Sequence, residues 1–314
     1  MSIPAVEPPV APGTPTSLRP GTKTSRLTGV IDDTGPGGSG IVIPLNAVDD
    51  AYVDWRMQDL DGWDSADLQE QAEAKVGEDG SWDAQNFYAG RIVTIEGLLT
   101  APTYELREAA EYQLRQAVPP RRLIRLRIDE VVPKYVMGRR SGRLMVKPLD
   151  EVHSKFSVAI LAPDFRKYGL NAVAEDLAVV QPALGLAPPW TPPITLPPRS
   201  GGTDTVTVTN VGQIATQPLV RLNGPGAGLA ITNAATGLTL AYDLTLGATD
   251  YLLVDCHAGV ALLNGVAPRS PAVGSAVTSR WVIAPGDNTL HLRGTATDPA
   301  MLATASVQFS PAWE

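Results

Sequence analysis

Carboxylates are the first residues in this chain whose spacing could do chemistry. Asp59, Asp61, Trp63 and Glu70 fall at positions 1, 3, 5 and 12 of a calcium-loop frame. The frame fails, because its glycine, Gly62, stands at position 4 instead of 6, and a tryptophan occupies a ligand position. Pairs of carboxylates also serve glycoside hydrolysis. The many aspartates here give no way to prefer two of them, and most such groups are solvated surface. Thr34 to Gly40 reads TGPGGSG, yet no Lys-Ser/Thr follows to reach a phosphate, so it is a loop or hairpin tip. Of His153, His257 and His291, only His257 has a neighbour of ligand type, Cys256. Adjacent strand residues face opposite ways and do not readily share an ion. Cys256 shares its face with Leu252 and Val254 and reads as a small core residue. No Gly-x-Ser-x-Gly elbow occurs. These residues point away from catalysis, metals and cofactors.

Charge distribution is more informative. Residues 32–83 are acidic, with Arg56 and Lys75 as their only bases, whereas residues 121–147 carry Arg121, Arg122, Arg125, Arg127, Lys134, Arg139, Arg140, Arg143 and Lys147 against Asp129 and Glu130. The two stretches could dock copies of the chain on one another, arginine being suited to bidentate carboxylate pairing. The alternatives are DNA contact by the basic stretch and a merely solvated face. A net charge of −8 disfavours general nucleic-acid binding, which rests on phosphate neutralisation. The candidate interface residues are Arg125, Arg127, Arg139, Arg140 and Arg143 on the basic side and Asp59, Asp61 and Asp64 on the acidic side.

The elements that would position them read as mostly β. The 314 residues allow two domains, and 44 % hydrophobic content supports real cores. A single cysteine excludes an internal disulfide, which fits a reducing compartment. No apolar run has the length of a membrane span, and Met1 to Pro20 lacks the pattern of a secretory signal. Residues 1–21 form a proline-rich arm. Residues 22–170 then hold short strand patterns at Ile41–Ile43, Tyr52–Trp55, Arg91–Leu99, Leu123–Ile128 and Lys155–Leu161. A helix is expected from Pro102 to Ala117, capped by Thr100 or Thr103, with Leu106, Ala110 and Leu114 on one stripe and Glu111–Arg115 as an exposed pair. Gly138 to Gly142 reads as a hairpin with a basic tip, between Tyr135–Met137 and Leu144–Val146. Residues 171–202, dense in proline and closing in Gly201-Gly202, read as a linker. Residues 203–314 show strands at regular spacing, among them Val206–Thr209, Leu219–Leu222, Tyr251–Cys256, Arg280–Ile283 and Ala305–Phe309, the pattern of a sandwich or jelly roll with its own core.

Several segments together resemble the distal tail proteins of long-tailed, non-contractile phages, in their actinophage minor-tail form. In the first part these are Asp61-Gly62-Trp63-Asp64-Ser65, Asp79-Gly80, Tyr88-Ala89-Gly90-Arg91-Ile92-Val93-Thr94-Ile95-Glu96-Gly97, the helix, and Ala162-Pro163-Asp164 up to Tyr168. In the second they are Thr209-Asn210-Val211-Gly212, Pro218-Leu219-Val220, Asn223-Gly224-Pro225, Leu262-Leu263-Asn264-Gly265-Val266, Pro285-Gly286-Asp287-Asn288 and Trp313. Phe165 departs from the proline often found after that aspartate, and the Pro-x-Val-Arg that often follows the GWDS-like segment is missing. The resemblance implies a mainly β protein: a β-sandwich-like ring domain with one helix and a hairpin, followed by a galectin-like or jelly-roll β-sandwich. It implies no enzyme. The implied role is a structural, hexameric ring at the distal end of the tail, assembled in the host cytoplasm and contacting the tail tube protein, a tip or hub protein and the tape-measure protein, with no sequence-specific reading of nucleic acid and no membrane insertion. The alternative is an adhesin whose second domain binds host-surface carbohydrate, expected to show an exposed aromatic platform.

Overall fold

The computed structural model describes residues 27–179, 203–298 and 301–314, apart from positions 72, 80, 83 and 84. It is mainly β, with several antiparallel sheets. The arm and most of the stretch read as a linker, Trp190 included, lie outside the described residues. Strands β1 Thr28–Asp32, β2 Val42–Leu45, β3 Ala47–Val48, β4 Asp54–Asp61, β5 Leu68–Gln69, β6 Glu73–Ala74, β7 Ser81–Trp82, β8 Phe87–Tyr88 and β9 Arg91–Thr100 precede the helix α1, Tyr104–Ala117. Then come β10 Ile124–Asp129, β11 Lys134–Pro148, β12 His153–Ala162 and β13 Lys167–Gly169. These build the first unit around one core that includes Trp55, Ile95, Leu126, Val136 and Phe156.

Its strands are ordered β2-β1-β10-β11-β12-β9-β4-β3. β11 is the corner. Its first half pairs with β10 and its second half with β12, so one long strand serves two sheets. The expected hairpin at Gly138–Gly142 is therefore corrected to a bent, continuous strand. A tight reversal needs positive φ at successive positions. In this stretch only Gly142 has it, at φ 67°. One such residue makes a bulge, here between Ser141 and Met145.

The helix matches its pattern. Thr103 is the N-cap, its hydroxyl accepting from the Leu106 amide at 3.3 Å, and Ala110 and Leu114 are buried. Glu111, expected at the surface, is instead buried and bonded to Arg107 at 2.6 Å, Arg115 at 3.2 Å and the Ser154 hydroxyl at 2.7 Å. Arg107 is the second buried charge, one turn back on the same side.

The second unit comprises β14 Val173–Ala178, β15 Thr205–Asn210, β16 Leu219–Asn223, β17 Gly226–Asn233, β18 Leu238–Ala241, β19 Thr245–Leu246, β20 Tyr251–Asp255, β21 Val260–Leu263, β22 Ala267–Pro268, β23 Gly286–Ala296 and β24 Thr304–Phe309; β25, Ala312–Trp313, follows. One sheet runs β14-β24-β16-β20-β21-β22 and the other β15-β23-β17-β18, with β19 also on β17. Between them lies a core with Val254, Cys256, Trp281, Leu290 and Val307. Cys256 is fully buried, and burial pushes its thiol up to about 12. Arg280–Ile283, expected as a strand, is a short 3-10 turn over Thr278–Arg280 followed by a single bridge from Ile283 to Thr216, because Trp281 folds inward rather than alternating along a ladder.

The boundary between the units also shifts. The chain crosses after Gly169, and Val173–Ala178, read as linker, is an edge strand paired with β24. Only Leu177 of this strand is fully buried, so its alternation is faint in sequence. The Ala178 amide donates to the Thr203 carbonyl at 3.0 Å. The described residues on either side of 180–202 are thus bonded to each other within the second unit. At its other end the chain returns, where β25 pairs with β13 of the first unit. Among the described residues no helix is long and apolar enough to cross a membrane.

Truncating Glu111 to Ala leaves Arg107 buried without its carboxylate. We expect a loss of about 3–5 kcal/mol in urea unfolding of the first unit. A loss below about 1 kcal/mol, the level of an exposed pair, would contradict this description of the helix.

Candidate functional site

The motifs that carried the resemblance meet at one buried point. Gly62 has φ 73°, and a Cβ there would lie 1.9 Å from the Ile92 carbonyl oxygen, so only glycine fits. This turn buries Trp63 and aims two carbonyls at Arg91, which begins β9 and is fully buried. Arg91 Nη1 donates to the Gly62 carbonyl at 2.9 Å and the Trp63 carbonyl at 2.7 Å, and Nε donates to the Phe165 carbonyl at 3.0 Å. Lys167 Nζ also donates to the Trp63 carbonyl, at 2.9 Å. The Trp63 indole N–H donates to Glu130, which takes Lys134 Nζ at 2.5 Å on its other oxygen. Burial alone would raise the Glu130 carboxyl, but the Lys134 and Trp63 hydrogen bonds outweigh it and hold it below its usual range.

The second unit's tail closes over this node. Trp313 lies against Gly169 and under the Lys134 ammonium at 5.3 Å, while the Glu314 side chain accepts from Ser65 Oγ at 3.0 Å and Tyr88 Oη at 3.1 Å. Phe165, the departure noted in sequence, stacks on Tyr88 at 4.3 Å.

Around this frame the candidate interface residues take definite places. Arg125 and Arg127 alternate with the buried Leu126 on β10 and so face outward. Arg125 lies over the Tyr135 ring at 5.0 Å, and Arg127 bonds Asp129 at 2.5 Å. Arg139 is exposed on β11, and Arg143 is exposed in the bulge. Arg140 differs. It stands opposite the buried Ile160, is half-buried, and its Nε is enclosed without a partner among the described residues. It is not part of the outer face. On the acidic side, Asp59 and Asp61 flank Leu60, which packs on the core, so they point outward from β4 and not from a turn. Asp61 and Asp64 line an open cleft of about 490 Å³ with Asp67, Ser65 and Thr94.

Much of the local charge is satisfied internally: Arg122 pairs with the buried Asp33, Lys134 with Glu130 and Lys155 with Glu96 at 3.0 Å. Arg125, Arg139 and Arg143, and opposite them Asp59, Asp61 and Asp64, make no ion pair with any described residue. Two strips of opposite sign thus remain at the surface of the first unit, one on β10–β11 and one on β4 with its following turn, with β12 and β9 between them in the strand order.

Sequence reasoning missed a third feature. β5 pairs with β8 and β6 with β7, forming a two-stranded ribbon that leaves Leu68, Trp82, Phe87 and Tyr88 exposed. The close run of Trp82, Phe87 and Tyr88 was the available signal, masked by the surrounding acids. In the second unit, by contrast, Tyr242, Trp281 and Phe309 are buried, Trp313 is half-buried, and Tyr251 carries the Arg221 guanidinium over its ring at 4.1 Å. Its described residues present no exposed aromatic platform. Nor do the described residues gather three or more groups able to hold a metal.

A search of solved structures finds the Dit protein of phage SPP1, described as a paradigm of the hub adsorption apparatus in phages infecting Gram-positive bacteria. It is 16 % identical, with 82 % of this chain and 93 % of that chain covered and a TM-score of 0.52. A chain of the phage P2 baseplate, in its activated conformation with calcium, is 10 % identical over 90 % of this chain and 97 % of that chain, at a TM-score of 0.46. No protein-family model and no curated protein matches. The likeness to SPP1 Dit shows a shared fold.

The node has a pH signature. Burial, with repulsion from Arg91 beside it, pulls the Lys167 ammonium down from 10.5 to about 8. Between about pH 8 and pH 10 the unfolded chain therefore holds a proton that the folded chain has released, and stability rises with pH across that window. Below pH 8 the cost of the buried ammonium is fully present. Above about pH 9 the buried Cys256 thiol, pushed up from 9.0 to about 12, lowers stability in any variant that keeps it. Denaturation midpoints should therefore climb between about pH 8 and pH 9 in the wild type and not in Lys167→Met; a wild-type profile that does not rise relative to Lys167→Met would contradict the buried, charged lysine.

Proposed function

We propose that this chain is a structural subunit of a phage tail tip, a distal tail protein whose first unit closes with copies of itself into a ring joining the tail tube to the tip. The observation that carries this reading is the pair of exposed strips of opposite charge on two different parts of the first unit's surface, the basic one on β10–β11 and the acidic one on β4 and its following turn. A closed ring needs two different, complementary patches on each subunit. Asp59, Asp61 and Asp64 of one copy would meet Arg125, Arg139 and Arg143 of the next. The ribbon with Trp82 and Phe87 would add apolar contact, since exposed patches of this kind mark association surfaces. The resemblance implies a ring of six, and the fold shared with SPP1 Dit, a hub protein, supports a place in the tail tip. The tube protein would lie on one side, a tip or hub protein on the other, and the tape-measure protein within the channel. The role is one of assembly in the virion, without catalysis. Binding of host carbohydrate by the second unit has no exposed aromatic platform among its described residues to rest on.

Charge reversal tests this and separates it from a reading in which the basic strip faces DNA. Asp59→Lys/Asp61→Lys, which spares Asp64 because its charge also favours the buried Arg91, and Arg125→Glu/Arg139→Glu/Arg143→Glu should each fold within about 0.5 kcal/mol per substitution of the parent, all being exposed. Each alone should abolish tail assembly by more than tenfold, and combining both sets in one chain should restore much of it. Tails that assemble normally with either set alone would overturn the proposal, as would a combined variant no better than the basic-strip variant.

A further inference from the structure

A cavity of about 440 Å³ lies between the two units, within the range of about 300–1,000 Å³ typical of ligand pockets. The first unit contributes Leu123, Tyr135, Met137 and Tyr168, and the second contributes Leu219 and Phe309. Leu123, Met137 and Leu219 stay 46, 37 and 37 % exposed, so apolar surface here still faces water. The Tyr135 and Tyr168 rings stand 5.9 Å apart at a tilt. On the polar wall the Asp164 carboxylate is already taken by the Tyr168 hydroxyl at 2.5 Å and by Arg166 at 3.3 Å, whereas Arg166 Nε is a buried donor with no acceptor among the described residues. The chemistry suited to such a cleft is apolar rings with free carbonyl oxygens and few N–H groups of their own.

The chain carries such a segment. Pro9, Pro12 and Pro15 recur every third residue, the spacing that lines one edge of a polyproline II helix, a conformation whose carbonyls have no internal partners. The segment can also reach. Leu27 is anchored at the head of β1 by a hydrogen bond from Asn46 Nδ2 to its carbonyl at 2.5 Å. Val30, Arg127 and Tyr135 lie in one row across β1, β10 and β11, so Leu27 stands roughly 14 Å from Tyr135. Pro15 precedes Leu27 by twelve residues (27 − 15), which span up to about 37 Å in polyproline II. We propose that residues 9–15 dock in the inter-unit cavity of their own chain, with the proline edge on Tyr135 and Tyr168. Recognition would follow the mode in which proline-rich segments fill aromatic-lined grooves. The docked arm would then brace the two units against each other.

The test uses the full chain. A nitroxide is attached at Val10→Cys, the native Cys256 being buried and unreactive, and methionine methyl signals are recorded. The Met137 methyl should lose more than half its intensity while Met57 and Met145 keep most of theirs, and Pro9→Ala/Pro12→Ala/Pro15→Ala should restore Met137. Uniform broadening, no broadening, or no restoration in the proline variant would overturn the proposal. So would broadening seen only when spin-labelled chains are mixed with separate isotope-labelled ones, which would assign the cavity to a neighbouring copy's arm.

Discussion

The fold of the first unit turns on neutralising one buried cation. Arg91 is fully enclosed, and an ion of this kind costs several kcal/mol to take out of water unless its donors are met. Three carbonyls meet Nε and Nη1, from the adjacent Gly62 and Trp63 and from the distant Phe165, while Nη2 is enclosed without a partner among the described residues. Once these three are held, much else is set. The Gly62 turn fixes Trp63 in the core and opens the cleft where Asp61 and Asp64 stand. The Phe165 segment directs the chain through β13 toward the second unit. Glu314 and Asp64 add favourable charge to the guanidinium from the rim.

Because the chain crosses between the units after Gly169 and returns to pair β25 with β13, the second unit is tied down at both ends. A single proline-rich tether would have left it free to swing. Two crossings would suit the role proposed above, which needs the two units held in line.

Local patterns were legible. β9, the helix and the alternation of Arg125 and Arg127 with Leu126 follow from side-chain periodicity, and Cys256 was placed correctly in the core. Register and sheet crossing are not local properties. Nothing in Gly138–Gly142 distinguishes a reversal from a bulge until β12 is seen to pair with the far half of β11. Val173–Ala178 hid because an edge strand with one fully buried side chain looks polar. For the site, a charge count found the acidic and basic stretches but not their facing. Asp59 and Asp61 belong to a strand, and Arg140 points to the wrong side of β11. The Gly-Trp of the acidic segment was recognisable as a motif, yet its purpose, two carbonyls offered to an arginine 28 residues away, became visible only in three dimensions.

The central claim is that this chain closes into a ring through its first unit. Electron microscopy of the purified protein at high concentration, alone and with its tail tube protein, tests it most directly. Closed rings of six subunits, with the helix-bearing unit forming the inner wall and the sandwich unit projecting outward, are expected. Particles that stay monomeric with the tube protein present, or that pair two-fold through like surfaces, would contradict it.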